Sequence, residues 1–278
     1  MKQLILFGLL LFLLGGCSTT KLAYDYGDKY LLWQLDSYFD LSNKQEDWLE
    51  ERIKLHLEWH RSQELWNYKK FLIDIQNRVK DGLTMEELDE GFSRYEAKQQ
   101  RLFERLIPDA ALFLKSLSSE QINNMESKML EENEEMIENN ENRSELIQER
   151  RENFLEQMEE WFGEFSPEQM VQINEWQANW FLESASPFDE RMKYRLKSQT
   201  QILVLLRSLP DSQQLEKWMS QWTKSWGRDM NSDRKARILR NKNRILQVDK
   251  FINPEQRQHA LRELDDWVEI LEQTISEH

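Results

Sequence analysis

The sequence predicts an all-α protein, a multi-helix bundle of long antiparallel helical hairpins, and three observations carry that prediction. First, Leu, Glu, Gln, Lys and Arg, all good helix formers, dominate a 278-residue chain that holds only 8 Gly and 5 Pro, too few for the tight turns of a β protein. Second, apolar residues recur at three- and four-residue spacing, and no long stretch alternates with period two. Third, one polar punctuation mark returns along the chain. An apolar residue is followed by a small polar residue, and Glu or Gln comes three positions after it.

In order, Leu4 to Leu14 is an apolar run broken only by Gly8, preceded by Met1, Lys2 and Gln3. A run of about eleven residues is too short for a bilayer span, which needs roughly 20, but suits the core of an export signal. Leu31, Leu32, Leu35, Tyr38 and Phe39 then form a stripe on a first short helix, with Trp33 near its edge. Trp48, Ile53, Leu55, Trp59, Trp66 and Phe71 belong to a long second helical stretch. Phe154, Leu155, Met158, Trp161 and Phe162 mark a buried face further along.

The punctuation reads Leu41-Ser42-Asn43-Lys44-Gln45, Leu83-Thr84-Met85-Glu86-Glu87, Leu117-Ser118-Ser119-Glu120-Gln121, Phe165-Ser166-Pro167-Glu168-Gln169 and Ile252-Asn253-Pro254-Glu255-Gln256. Asp211 to Gln214 is a looser copy. Each is a capping box, in which the small side chain accepts from an orphan amide and Glu or Gln reaches back. Pro167 and Pro254 fall at the first helical position, where proline is best tolerated. Leu83 with Leu88, Leu117 with Ile122 and Phe165 with Met170 are spaced as hydrophobic staples. Helices should therefore begin near 42, 84, 118, 166, 211 and 253. Asp81-Gly82, Pro108, Gly163, Ser186-Pro187, Pro210 and Gly227 are the expected breaks or bends. A sub-boundary is placed at 139–144, a polar stretch inside an acidic helix.

Charge is uneven. The whole chain carries −14, but Glu131 to Glu160 holds twelve acidic against three basic residues, and Arg191 to Lys250 fifteen basic against five acidic. The two regions either pack near one another or are solvated faces. Alternatively, Arg228, Arg234, Lys235, Arg237, Arg240, Lys242 and Arg244 line a cationic face for an anionic lipid or an acidic envelope partner. A strongly negative chain is a poor match for nucleic acid. The 11 Trp are expected as core and interface anchors, each burying a large area.

No catalytic constellation stands out. His56 and His60 are four apart on one helix face, but His56-Leu57-Glu58-Trp59-His60 lacks the Glu directly after the first His that a zincin needs. Both are expected as surface or half-buried histidines, with His60 bonding a carboxylate such as Glu64. Nucleophile elbows, phosphate-binding glycine loops and dinucleotide fingerprints are absent from the sequence, so no cofactor and no enzyme activity is expected. A catalytic reading would need a deep pocket with convergent polar groups about His56 and His60.

The apolar run ends in Leu14-Gly15-Gly16-Cys17, which resembles the lipobox of bacterial lipoproteins, and Cys17 is the single cysteine. The resemblance implies diacylglyceryl transfer to the Cys17 sulfur, cleavage before Cys17 and acylation, palmitate included, of the new terminus. Residues 1–16 would then be the removed signal peptide, 17–22 the lipidated anchor segment and 23–278 a helical periplasmic domain. Ser18 stands where lipoproteins retained in the inner membrane often carry Asp, which favours the periplasmic face of the outer membrane. Further residues extend the likeness: Leu22-Ala23-Tyr24-Asp25 with Trp33 and Asp36, Trp59-His60-Arg61 with Glu64 and Tyr68, and Asn133-Glu134-Glu135. Ser186-Pro187-Phe188-Asp189 and Pro254-Glu255-Gln256-Arg257 complete the pattern. It resembles an uncharacterised family of proteobacterial lipoproteins, which implies a helical lipoprotein and supplies no activity. The Leu-Ser/Thr-x-x-Gln marks are also similar to those of small periplasmic chaperones and stress sensors carrying an LTxxQ motif. Two expectations follow: a membrane-anchored protein that binds another envelope component, or a holdase for periplasmic or outer-membrane proteins.

Overall fold

A computed structural model describes residues 17–141, 143–184, 188–225 and 234–276, and side chains except those of 17–23, 142–146, 181–187 and 225–234. Every regular element among them is helical. Helix α1 is Cys17–Phe39; α2 is Asn43–Trp59; a π-helical turn, His60–Glu64, leads without a break into α3, Leu65–Val79. Then follow α4, Met85–Lys115; α5, Ser119–Glu141; α6, Arg143–Phe162; α7, Pro167–Ser184; and α8, Phe188–Arg207. The last three are α9, Ser212–Ser225; α10, Arg234–Phe251; and α11, Pro254–Ser276.

All six helix starts read from the caps are present. The Glu87 amide donates to Thr84 Oγ1 at 3.2 Å while Glu87 Oε2 accepts from the Thr84 amide at 2.9 Å. The same reciprocal pair forms at Ser118 with Gln121, Ser166 with Gln169, Asp211 with Gln214 and Asn253 with Gln256. At Ser42 the backbone amide donates to Gln45 Oε1 at 3.0 Å. These bonds use purely local geometry, which is why short sequence windows located them.

The breaks divide. Gly82 turns with φ of 90° and Gly163 with φ of 73°, conformations that cost glycine nothing, and Pro210 lies in the α8–α9 connection. Pro108 makes no break: it sits inside α4, which continues through it. It is exposed, so water can reach the carbonyl four residues back that the proline leaves without its amide partner. The expected breaks at Ser186-Pro187 and Gly227 lie outside the described residues. At the 139–144 sub-boundary α5 ends at Glu141 and α6 begins at Arg143, with Asn142 outside the description.

Two packing centres organise the bundle. In the first, α1 lies along α2, and α9 lies along α4. Phe39, Leu49, Ile53, Ala111, Phe113 and Leu215 are buried together there, and α5 and α8 add Ile122, Met125 and Leu206. In the second, α11 runs along α3 and touches α6 and α1. It buries Ala260, Leu264, Trp267 and Leu271, the three- and four-residue spacing of one helix face. Leu215 and Leu271 are fully buried, a placement that stabilises by about 1.5–3 kcal/mol each. Trp176 and Trp267 are buried anchors, whereas Trp33 and Trp66 are 60% and 46% exposed, so the tryptophans are not uniformly core residues.

The capping glutamines are also used twice. Gln45 and Gln121 exchange side-chain hydrogen bonds of 3.1 and 2.8 Å, and Gln121 donates to the Asp40 carbonyl at 2.9 Å. Gln169 and Gln256 exchange bonds of 2.9 and 3.2 Å, and Gln256 donates to the Glu164 carbonyl at 2.9 Å. Each clasp therefore ties together two helix starts distant in sequence. Gln121 and Gln256 are buried, where an amide without partners would be costly.

Candidate functional site

The stripe Trp48, Arg52, His56 and His60 repeats every four residues along α2 and its π turn, so all four side chains share one face. That face, with Leu31 and Leu35 of α1 and Leu102 and Leu106 of α4, lines an apolar pocket of about 230 Å³. The two histidines border it but have different chemistry.

His60 is closed off. It is 4% exposed, a correction to the expected surface or half-buried position, and its bond partner is Tyr24 rather than Glu64. Burial lowers its pKa to about 4, so the ring is neutral, and its Nδ1 is hydrogen-bonded to the Tyr24 hydroxyl. Burial likewise raises the pKa of the Tyr24 hydroxyl. The Arg61 guanidinium covers the Tyr24 ring at 4.9 Å, and the Tyr68 ring meets His60 at 5.3 Å between centroids. Glu64, 2% exposed, pairs with Arg101 Nε at 2.6 Å, as a buried carboxylate must. The π turn makes this knot possible: the Leu65 amide bonds back to the His60 carbonyl, five residues earlier.

His56 faces the pocket. Its Nε2 donates to Asp109 Oδ2 of α4 at 2.8 Å. Desolvation lowers its pKa, opposed by the Asp109 bond, with Arg105 and Arg52 adding a smaller push in the same direction as desolvation. The ring is therefore neutral near pH 7, and Nδ1 carries a lone pair. That Nδ1 and the Nε of Arg52 are both buried without a hydrogen-bond partner among the described residues. The Arg52 guanidinium stacks over Trp48 at 5.6 Å. Among the described residues, no serine, threonine or cysteine lines the pocket.

The remaining sequence candidates are dispersed. Cys17 opens α1, but its side chain lies outside the described residues, as do Arg228 and the side chain of Arg234. Lys242 is buried, 2.5 Å from Asp89 and 5.1 Å over the Phe92 ring. Arg244 donates to the Trp180 carbonyl at 3.0 Å and covers that indole. Arg240 also has a partner, which leaves Lys235 exposed and Arg237 half-buried on α10. Among the described side chains of the row, Lys242 and Arg244 are engaged within the fold. Part of the basic segment also answers acidic residues of α5: Arg195 pairs with Glu132 and Arg207 with Glu126, each at 2.5 Å. Among the described residues no group of three or more His, Cys, Asp or Glu could hold a metal ion, and no helix is long and apolar enough to cross a membrane.

Sequence reasoning missed Arg52 and Asp109. The four-residue spacing of Trp48, Arg52, His56 and His60 was available as a signal for Arg52; Asp109 comes from another helix and had none. Tyr24, His60, Arg61, Glu64 and Tyr68, scattered in the sequence pattern, meet around the π turn.

No curated protein and no solved structure matches the chain. One family does, over residues 37–231, described as a family of unknown function (DUF6279). That match takes in α2 to α9, including the π turn, the Arg52–His56 face and Asp109. By that match, the chain belongs to the DUF6279 family.

Proposed function

We propose that the protein is a bacterial envelope lipoprotein, anchored through acylated Cys17 to the periplasmic face of the outer membrane, that works by binding another envelope component. The observation that carries the anchor is Leu14-Gly15-Gly16-Cys17 at the end of an eleven-residue apolar run. Several acyl chains, at roughly 0.8 kcal/mol per buried methylene, hold such a protein stably to a membrane. Support for binding rather than catalysis comes from the pocket itself, which is lined mostly by apolar side chains. An anionic lipid or protein partner would meet Lys235 and Arg237 on α10.

Metabolic labelling with a tagged fatty acid tests the anchor: the wild-type chain incorporates label, and Cys17→Ser accumulates as an unlabelled precursor. Normal processing of Cys17→Ser would remove the lipobox reading. Crosslinking of the native envelope followed by capture should then yield one defined partner.

A second reading, a holdase, is favoured by an open groove of about 770 Å³ between α8 and α9, bordered by Val204, Leu205, Trp218 and Trp222. A holdase would slow aggregation of an unrelated unfolded protein at near-stoichiometric ratio, whereas a dedicated adaptor would not.

A further inference from the structure

We infer that the pocket between α1, α2 and α4 binds a medium-chain monocarboxylic acid, its chain among the leucines and its carboxylate against Arg52 and His56. The inference rests on the binding reading above and is independent of the lipid anchor.

Size sets the first condition. An apolar cavity of about 150 Å³ accepts benzene, so by proportion about 230 Å³ holds roughly nine carbons. The walls come from Leu31 and Leu35, Leu102 and Leu106, with Phe113 beyond, so an alkyl chain finds no unmatched polar surface over most of its length. The polar lining residues are Gln34, Arg52, His56, His60 and Asp109.

Of these, Arg52 Nε and His56 Nδ1 are buried without protein partners. An unsatisfied buried donor is destabilising, and that cost is relieved by an acceptor arriving at that place. The surrounding charges decide what kind of acceptor. Arg52 and Arg105 bring two positive charges near His56, Asp109 brings one negative, and the ring is neutral. The balance of one positive charge is matched by one carboxylate. A carboxylate accepts from Arg52 Nε, and its approach favours protonation of His56 Nδ1, with Asp109 already holding the opposite ring nitrogen. An ester or alcohol would fill the same volume and leave the positive charge unanswered; an amine would add to it.

The test is photolabelling of the purified full chain, kept in a steroid-based detergent that has no alkyl tail, with a diazirine-bearing decanoic acid. Saturable labelling should map to the Leu102–Phe113 and Leu31–Leu35 segments. Decanoate should compete at least tenfold better than methyl decanoate, and decylamine should not compete. Arg52→Gln should abolish the preference for decanoate while leaving competition by methyl decanoate unchanged. Ala110→Phe, which fills the pocket, should abolish labelling with helical circular dichroism retained. If that variant does not fold, Arg52→Gln alone decides. The proposal is overturned by absent or unsaturable labelling, by labelling elsewhere, or by methyl decanoate or decylamine matching decanoate. Release of decanoate from methyl decanoate would also overturn it, by making the His56–Asp109 pair a general base. Because labelling can be read with or without an acylated Cys17, failure here leaves the anchor untouched, and failure of the anchor leaves this result standing.

Discussion

His56 and His60 stand one helical turn apart on the same face, yet one belongs to a closed polar knot and the other to an open apolar pocket. Around His60, Tyr24 answers one ring nitrogen and Arg101 answers Glu64, while the Nε of Arg61, whose guanidinium covers Tyr24, is buried without a hydrogen-bond partner among the described residues. Around His56 only one ring nitrogen is answered, and the neighbouring Arg52 Nε is left over. Arg52 and His56 line the apolar pocket and Arg61 does not, so a ligand in that pocket could answer the unpaired atoms beside His56 but not the one beside His60. The difference separates what holds this protein together from what it can offer.

The comparison can be broken most forcefully at Leu65, which is 2% exposed and follows the π turn. Leu65→Ala should cost about 2–5 kcal/mol, read as a lower denaturation midpoint with an unchanged slope. A loss near zero would mean that the knot is not packed as described.

Acid comes next. The unfolded His60 titrates near 6.5 and the folded one near 4. Above 6.5 both states are neutral and nothing is lost. As pH falls from 6.5 to 4 the unfolded chain takes up a proton that the folded chain refuses, so stability drops until both are protonated. At about 1.4 kcal/mol per unit the total approaches ~3 kcal/mol, spread over that window. The measurement is the wild-type stability profile minus that of His60→Gln; a flat difference between pH 4 and 6.5 would refute the burial of a neutral ring.

A finer contrast uses two adjacent alanines of α4. Ala111 is fully buried in the core, and Ala110 borders the pocket. Ala111→Leu should destabilise by about 1–3 kcal/mol through overpacking, whereas Ala110→Leu should stay within about 0.5 kcal/mol of wild type. Equal losses would show that the pocket is not open.

What the sequence disclosed follows the range of the forces involved. Capping boxes act over three residues, so Ser42, Thr84, Ser118, Ser166, Asp211 and Asn253 announced their helices directly. The clasps of Gln45 with Gln121 and of Gln169 with Gln256 join residues 76 and 87 positions apart, and no local pattern carries that information. Tyr24 reaches His60 across 36 positions, which is why the expected partner was the nearer Glu64. Trp33, near the edge of its stripe, and Trp66 are exposed, because hydrophobicity alone does not fix which tryptophans of a helix face the core. The basic segment looked like one face because charge density ignores direction; in the fold Lys242 and Arg244 turn toward Asp89 and Trp180.

The π turn has a mechanical side as well. The turn absorbs one surplus residue in a wider loop of backbone, so the helix beyond it keeps the phase of a rod one residue shorter. The rod from Asn43 to Val79 therefore works like a drive shaft with a slack coupling: its first half is presented to α1 and α4, its second to α11. Deleting exposed Ser62 would take up that slack, restoring an ordinary helix while leaving the α11-facing side of α3 on its seat.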